Sequence, residues 1–91
     1  MYARVTTGSY NASDLDKIEQ IFNQDLVPGF KKLAGFQSFQ GGFDRGANRF
    51  VAISTWDTVE HANAAQTLRP QFETIGARFD PPQNFEITTT S

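Results

Sequence analysis

Alternation and helical spacing divide the chain into six predicted elements. Tyr2 to Thr7 is short and rich in Tyr, Val and Thr, which suit a pleated, half-buried surface, and it predicts a first strand. Gly8 to Ala12 reads as turn or loop. Ser13 is the expected N-cap of a first helix, with Asp14 and Asp16 favourable at the positive end of its dipole. Leu15, Ile18, Phe22, Leu26 and Leu33 then fall within one stripe at about 100° per residue, with Ile21 at its flank. Pro28-Gly29 interrupts the run. A proline inside a helix removes a backbone donor and presses on the preceding turn, so a kink or short break is expected there. A last turn should follow through Phe30-Lys31-Lys32-Leu33.

Phe36 to Asp44 and Arg49 to Trp56 predict two antiparallel strands joined by Arg45-Gly46-Ala47-Asn48, which carries turn chemistry. With those four residues as the loop, Asp44 faces Arg49, Phe43 faces Phe50, Gly41 faces Ala52, Phe39 faces Ser54 and Gln37 faces Trp56. A slip of one residue would exchange the two faces. Asp57-Thr58-Val59-Glu60 is a capping-box type start for a second helix at Asp57. His61, Ala65, Leu68, Phe72, Ile75 and Phe79 follow at spacings of four and three. Arg69-Pro70 is expected to split this helix, and Asp80-Pro81-Pro82 to end it. Asn84 to Thr89 predicts a last strand with Phe85 and Ile87 on one face. The order β-α-β-β-α-β is the split βαβ plan: a ferredoxin-like α+β domain, residues 1–91, with four antiparallel strands and both helices on one face of the sheet.

Two helices cover one face only, and a lone domain should then be polar on the other. Phe50-Val51-Ala52-Ile53 is apolar on both sides, and the alternation puts Phe36 on the face opposite Phe39 and Phe43. Both faces therefore call for burial, and a homodimer through the sheet face is the expected solution. Size points the same way. A chain of 91 residues buries a modest share of its surface, roughly 60–65%, and commonly leans on a disulfide, a metal or a partner. There is no cysteine, which excludes disulfides and thiolate metal sites.

The net charge is −2 and the basic residues form no stripe, against the footprint of nucleic-acid binding. No apolar run approaches the length of a membrane span, and Met1-Tyr2-Ala3-Arg4-Val5 lacks the apolar centre of a signal peptide, so the expected location is the cytoplasm. The single His, the lack of cysteine and the absence of a ligand-spaced acidic cluster speak against a metal site. No nucleophile triad, phosphate loop or dinucleotide fingerprint is present. Gly41-Gly42 inside a strand pattern suggests a bulge or a close backbone approach.

Leu26-Val27-Pro28-Gly29-Phe30, then Leu33-Ala34-Gly35-Phe36, form a kinked helix end that enters a strand through Gly-Phe. A strand ends in Trp56 and is followed by an acidic-capped helix at Asp57-Thr58-Val59-Glu60-His61-Ala62. Together these segments resemble the antibiotic biosynthesis monooxygenase-like proteins of the dimeric α+β barrel superfamily, from about Tyr2 to Thr89. The resemblance implies homodimers whose sheets face each other and a pocket between sheet and helices. Some members oxygenate aromatic polyketides or quinols without metal or flavin, others degrade haem, and many have no known activity. The haem-degrading branch places an aromatic residue and a ligating His in the second helix. Those places hold about Ala65 and Ile75 here, which argues against haem degradation. The cofactor-free oxygenases use Trp, Asn, Tyr and Arg in the pocket. Trp56 matches by position, while Asn48, Arg49, Tyr2 and Arg4 match by type.

Each candidate has a plain alternative. Trp56 is either a pocket wall that stacks on an aromatic ligand or a core residue at an element junction. His61 lies near a helix N-terminus, which disfavours its charged form; it is either a general base or an ordinary structural His. Phe22, Phe39, Phe72 and Phe79 are candidate pocket lining or simply core, and Arg49 is a candidate substrate contact or a surface residue. The leading function is a cofactor-independent monooxygenase-like protein that binds a small aromatic or quinol-type molecule between sheet and helices, with His61 as base and Trp56 as orienting wall. The alternative is a non-catalytic homodimeric binding or interaction module. A large cavity reaching both Trp56 and His61 would separate the two.

Overall fold

The computed structural model describes residues 1–68 and 77–91. Along the chain run β1 (Tyr2–Ser9), α1 (Leu15–Ile21), α2 (Val27–Lys31), β2 (Phe36–Asp44), β3 (Arg49–Trp56), α3 (Val59–Ala64), β4 (Arg78–Phe79) and β5 (Gln83–Glu86). The strands form one antiparallel sheet in the order β2-β3-β1-β4, with β5 also paired to β1. The helices pack against one face, so the ferredoxin-like α+β plan is the observed one. None of the described helices is long and apolar enough to cross a membrane.

Strand alternation decides what lies under the helices. Tyr2, Arg4, Thr6 and Gly8 pair with Trp56, Ser54, Ala52 and Phe50, and all eight point to the helical side. Gly8 is required here. A methyl group at that position would overlap both the Arg78 carbonyl and the Phe50 ring. From the helices come Ile18, Phe22, Leu26 and Phe30, all buried. Their rings meet those of the sheet edge to face: Phe22 with Phe50 at 5.8 Å and Phe30 with Trp56 at 5.6 Å between centroids.

The first helix departs from expectation at both ends. Ser13 lies inside a short 3₁₀ turn, Ala12–Asp14, and α1 starts after Asp14 with no side-chain cap. No break occurs at Pro28. The chain instead widens into a π-helical turn over Phe22–Leu26, where the Val27 N–H reaches back five residues to the Phe22 carbonyl. Pro28 then falls in the first turn of α2, where a missing donor costs little. The widened turn lies where the proline ring would otherwise press on the carbonyl four residues back.

The hairpin register holds from Asp44↔Arg49 to Ser38↔Thr55 and then shifts. Gln37 is extra, so Phe36, not Gln37, faces Trp56. This bulge brings Phe36 to the helical side, against Trp56 at 5.3 Å and Phe30 at 5.8 Å. Phe36 therefore does not contribute to the opposite face. Of the bulge or close approach expected at Gly41-Gly42, the close approach is the one observed, since a Cβ on Gly41 would come 3.0 Å from the Phe22 ring. The second helix starts one residue later than expected. Thr58 is the N-cap, its hydroxyl accepting from the His61 N–H at 3.1 Å. Phe79 is not helical: it sits in β4 opposite Gly8 and packs on Phe50. The expected break at Arg69-Pro70, and Phe72 and Ile75, lie outside the described residues.

The uncovered face carries Val5, Thr7, Val51, Ile53 and Thr55, with Phe85 half exposed beside them. On the covered side, the Tyr10 hydroxyl is buried with no hydrogen-bond partner among the described residues, its ring edge-on to Phe43 at 5.7 Å. A buried, unpaired hydroxyl opposes folding. Tyr10→Phe is therefore expected to raise stability by about 1 kcal/mol, read as a higher urea midpoint at unchanged slope.

Candidate functional site

Between the helices and the sheet lies a half-open cleft lined by Arg4, Thr6, Phe22, Leu26, Phe30, Phe39, Ala52, Ser54, Ala65, Phe79 and Pro82. It encloses about 500 Å³ with the open space at its mouth included. Helical spacing brings Phe22, Leu26 and Phe30 to one wall. Strand alternation brings Arg4, Thr6, Ala52, Ser54 and Phe39 to the floor.

Arg4 and Ser54 are the buried polar side chains of the described core, 8% and 3% exposed, and they are directly opposite each other across β1 and β3. Arg4 Nη2 donates to Gln66 Oε1, which ties the sheet to the 3₁₀ turn Ala65–Leu68 after α3. Ser54 Oγ accepts the Trp56 indole N–H at 2.8 Å. Neither residue stood among the candidates drawn from the sequence as leading site residues. Their alternation with Thr6 and Trp56 could have found them, had the sheet been known to keep one dry face.

The structure brings three of the proposed residues together: Phe22, Phe39 and Phe79 line the cleft. Phe72 lies outside the described residues. Trp56 is fully buried beneath the cleft, packed on Phe30 and Phe36 and bonded to Ser54, and is not itself among the described lining residues. Arg49 is on the opposite face of the sheet, where it pairs with Asp80 at 2.7 Å. His61 is 41% exposed in its side chain and is not among the lining residues.

His61 has a different arrangement. Its Nδ1 lies 2.6 Å from Asp57 Oδ1. An ionised carboxylate can only accept, so Nδ1 carries the hydrogen and Nε2 is directed elsewhere. Gly35 makes this pair possible. It turns the chain from α2 into β2 at φ 80°, and a side chain there would overlap the Asp57 carboxylate and the imidazole. The Asp57 N–H donates to the Gly35 carbonyl at 3.0 Å, closing the cluster. Among the described residues, no group of three or more His, Asp or Glu side chains is placed to hold a metal ion.

Two carboxyls are held below the usual range. The hydrogen bond from His61 lowers Asp57. The Thr7 hydroxyl, and then the Arg49 guanidinium, lower Asp80. A carboxyl depressed in the folded state stabilises the fold above its unfolded value, about 3.9, and the gain is lost as pH falls through the folded value. Stability is thus expected to fall as pH drops below about 4, and the double variant Asp57→Asn, Asp80→Asn to show a flatter decline, measured by urea unfolding at stepped pH.

No protein-family model matches the chain, and no curated protein matches it in sequence. Solved structures do match its fold. A variant of MhuD with two manganese protoporphyrin IX molecules per active site superposes with a TM-score of 0.77 at 15% identity, over 100% of this chain and 98% of that one. SnoaB, a cofactor-independent oxygenase from Streptomyces nogalater, gives 0.75 at 16% identity over 98% and 94%. The ActVA-Orf6 monooxygenase of Streptomyces coelicolor, in complex with nanaomycin D, gives 0.73 at 13% identity over 99% and 88%. With nearly the whole of each chain superposed, this protein shares the ferredoxin-like α+β fold of these three proteins.

Proposed function

We propose that the protein binds a small aromatic or quinol-type molecule in the cleft between helices and sheet and acts on it as a monooxygenase without a bound cofactor. The observation that carries the reading is the cleft itself: Phe22, Phe30, Phe39 and Phe79 around a floor of Arg4, Thr6 and Ser54. Such a site suits a flat apolar ligand with one polar end. The fold shared with SnoaB and ActVA-Orf6 supports oxygenation as its chemistry. In that chemistry a deprotonated phenol or quinol reacts with dioxygen, and the protein supplies a dry, orienting pocket and a base. In this reading His61, aligned by Asp57 but outside the described lining of the cleft, is the candidate base, and Trp56 supports the floor from beneath through Ser54.

A specific observation favours a second reading, a non-catalytic binding module. Among the described lining residues there is no carboxylate and no imidazole to take a proton. Oxygen uptake with a panel of quinols and polyphenols separates the two. The enzyme reading expects saturable uptake that falls at least tenfold in His61→Ala. Full turnover in that variant removes His61 from the mechanism, and binding without uptake selects the module.

In either reading the protein pairs with a second copy through the uncovered sheet face. The apolar side chains Val5, Val51 and Ile53, and the half-exposed Phe85, support this. The native protein is expected to sediment as a dimer and Ile53→Glu as a monomer. A native monomer at micromolar concentration would refute the pairing.

A further inference from the structure

One wall of the cleft is anchored on the other side of the sheet. Phe79 and Pro82 line the cleft. Phe79 reaches it from β4, where it pairs with Gly8 and packs on Phe50 at 5.3 Å. The ladder on β1 then loses its regularity. Gly8 faces Phe79 at the end of β4, and Val5 faces Gln83 at the start of β5. Asp80, Pro81 and Pro82 thus run opposite only Thr7 and Thr6, one residue more than a regular ladder holds. Prolines carry no N–H, so past Asp80 the segment offers β1 no backbone donor until Gln83. Alternation turns Asp80 to the uncovered face. There its N–H donates to the Thr7 carbonyl at 2.9 Å. Its Oδ2 accepts from the Thr7 hydroxyl and from Arg49 Nη2, each at 2.7 Å. Thr7 belongs to β1 and Arg49 to β3, so one carboxylate oxygen ties the segment to two neighbouring strands.

Resting on the ligand-cleft reading, we propose that Asp80 is a positioning residue for the cleft: from the opposite face of the sheet it sets how closely Phe79 and Pro82 approach the ligand. Its bonds lie where the ladder has fewest to give, between the last pair of β4 and the first pair of β5. Arg49 and Thr7 are its partners, so Arg49 acts on the ligand through Asp80 and not by touching it. About half of each side chain of the ion pair is in water, and such a pair alone contributes little to the fold. The hydroxyl and backbone bonds to Thr7 add direction. The anchor therefore adjusts one wall without carrying the domain. Without the carboxylate the proline segment bows outward, and the cleft widens on its Pro82 side. A narrow ligand that spans from Phe22 and Phe39 to Phe79 and Pro82 then loses contact with one wall. A broader ligand still reaches it. Asp80 thus governs the width of ring system that the cleft prefers.

Two aromatic phenols of different width test this, 2-naphthol with two fused rings and 9-phenanthrol with three. Binding of each to the full chain is followed by probe fluorescence under nitrogen, so that no turnover intervenes. Asp80→Ala is expected to weaken 2-naphthol severalfold and to spare 9-phenanthrol, so the ratio of the two affinities shifts towards the wider probe. Asp80→Asn keeps an acceptor oxygen for Thr7 and Arg49 and should restore most of the native ratio. Arg49→Met and Thr7→Val each remove one partner and should shift the ratio the same way by less. A merely structural loss would weaken both probes alike, and that result overturns the proposal. Circular dichroism confirms that each variant is folded; if Asp80→Ala does not fold, Arg49→Met and Thr7→Val decide. An unchanged ratio in the folded variants, with Ala52→Leu at the cleft floor abolishing binding, overturns the anchor and leaves the cleft as a ligand site. If the native protein binds neither probe, the ligand-cleft reading and this proposal fall together.

Discussion

A phenyl ring lying over a glycine sets the register of the two central strands, and the rest of the molecule follows from it. Phe50 occupies the space that a side chain on Gly8 would need, and the Arg78 carbonyl closes on the same position from the other edge. Side chains alternate strictly along a strand, so this one contact orders every pair from Gly8↔Phe50 to Tyr2↔Trp56. A slip of β1 by one residue would turn Arg4 to the uncovered face, away from Ser54, and bring Val5 under the helices. Both cleft and core would be lost.

That register also explains why polar side chains are found on an otherwise aromatic floor. Burying Arg4 and Ser54 opposes folding unless each group is bonded. Gln66 meets the first, and Trp56 meets the second while being satisfied itself. Trp56, the largest buried side chain, thus links packing to polarity. Its ring holds Phe30 and Phe36 in place, and its single donor aims Ser54.

The helical wall is shaped by a local conflict. Phe22, Leu26 and Phe30 must all reach the sheet, yet Pro28 stands among them. Widening the turn before the proline keeps the wall continuous, where a break would have split it. Widened turns of this kind are frequent at functional sites, and here the turn runs along the cleft, with its first and last residues, Phe22 and Leu26, in the lining.

Patterns of local origin were legible in the sequence. The β-α-β-β-α-β order, the hairpin register from Asp44 to Ser38 and the Phe22, Leu26 stripe rest on period and turn chemistry, which neighbours along the chain supply. The single-residue bulge at Gln37 was not legible, because it is the packing of Phe36 on Trp56 and Phe30 that moves Phe36 to the helical face. Phe79 had helical spacing but became a strand, since pairing with Gly8 and contact with Phe50 outweigh propensity over two residues. The phenylalanines of the candidate site were readable as an apolar stripe. The roles of Arg4 and Ser54 were not, because they arise from two strands about fifty residues apart meeting in one register. Nor could the sequence tell that His61 turns to Asp57 rather than to the cleft. That depends on the positive φ of Gly35, a backbone geometry that brings a third segment against the pair and exists only in the folded chain.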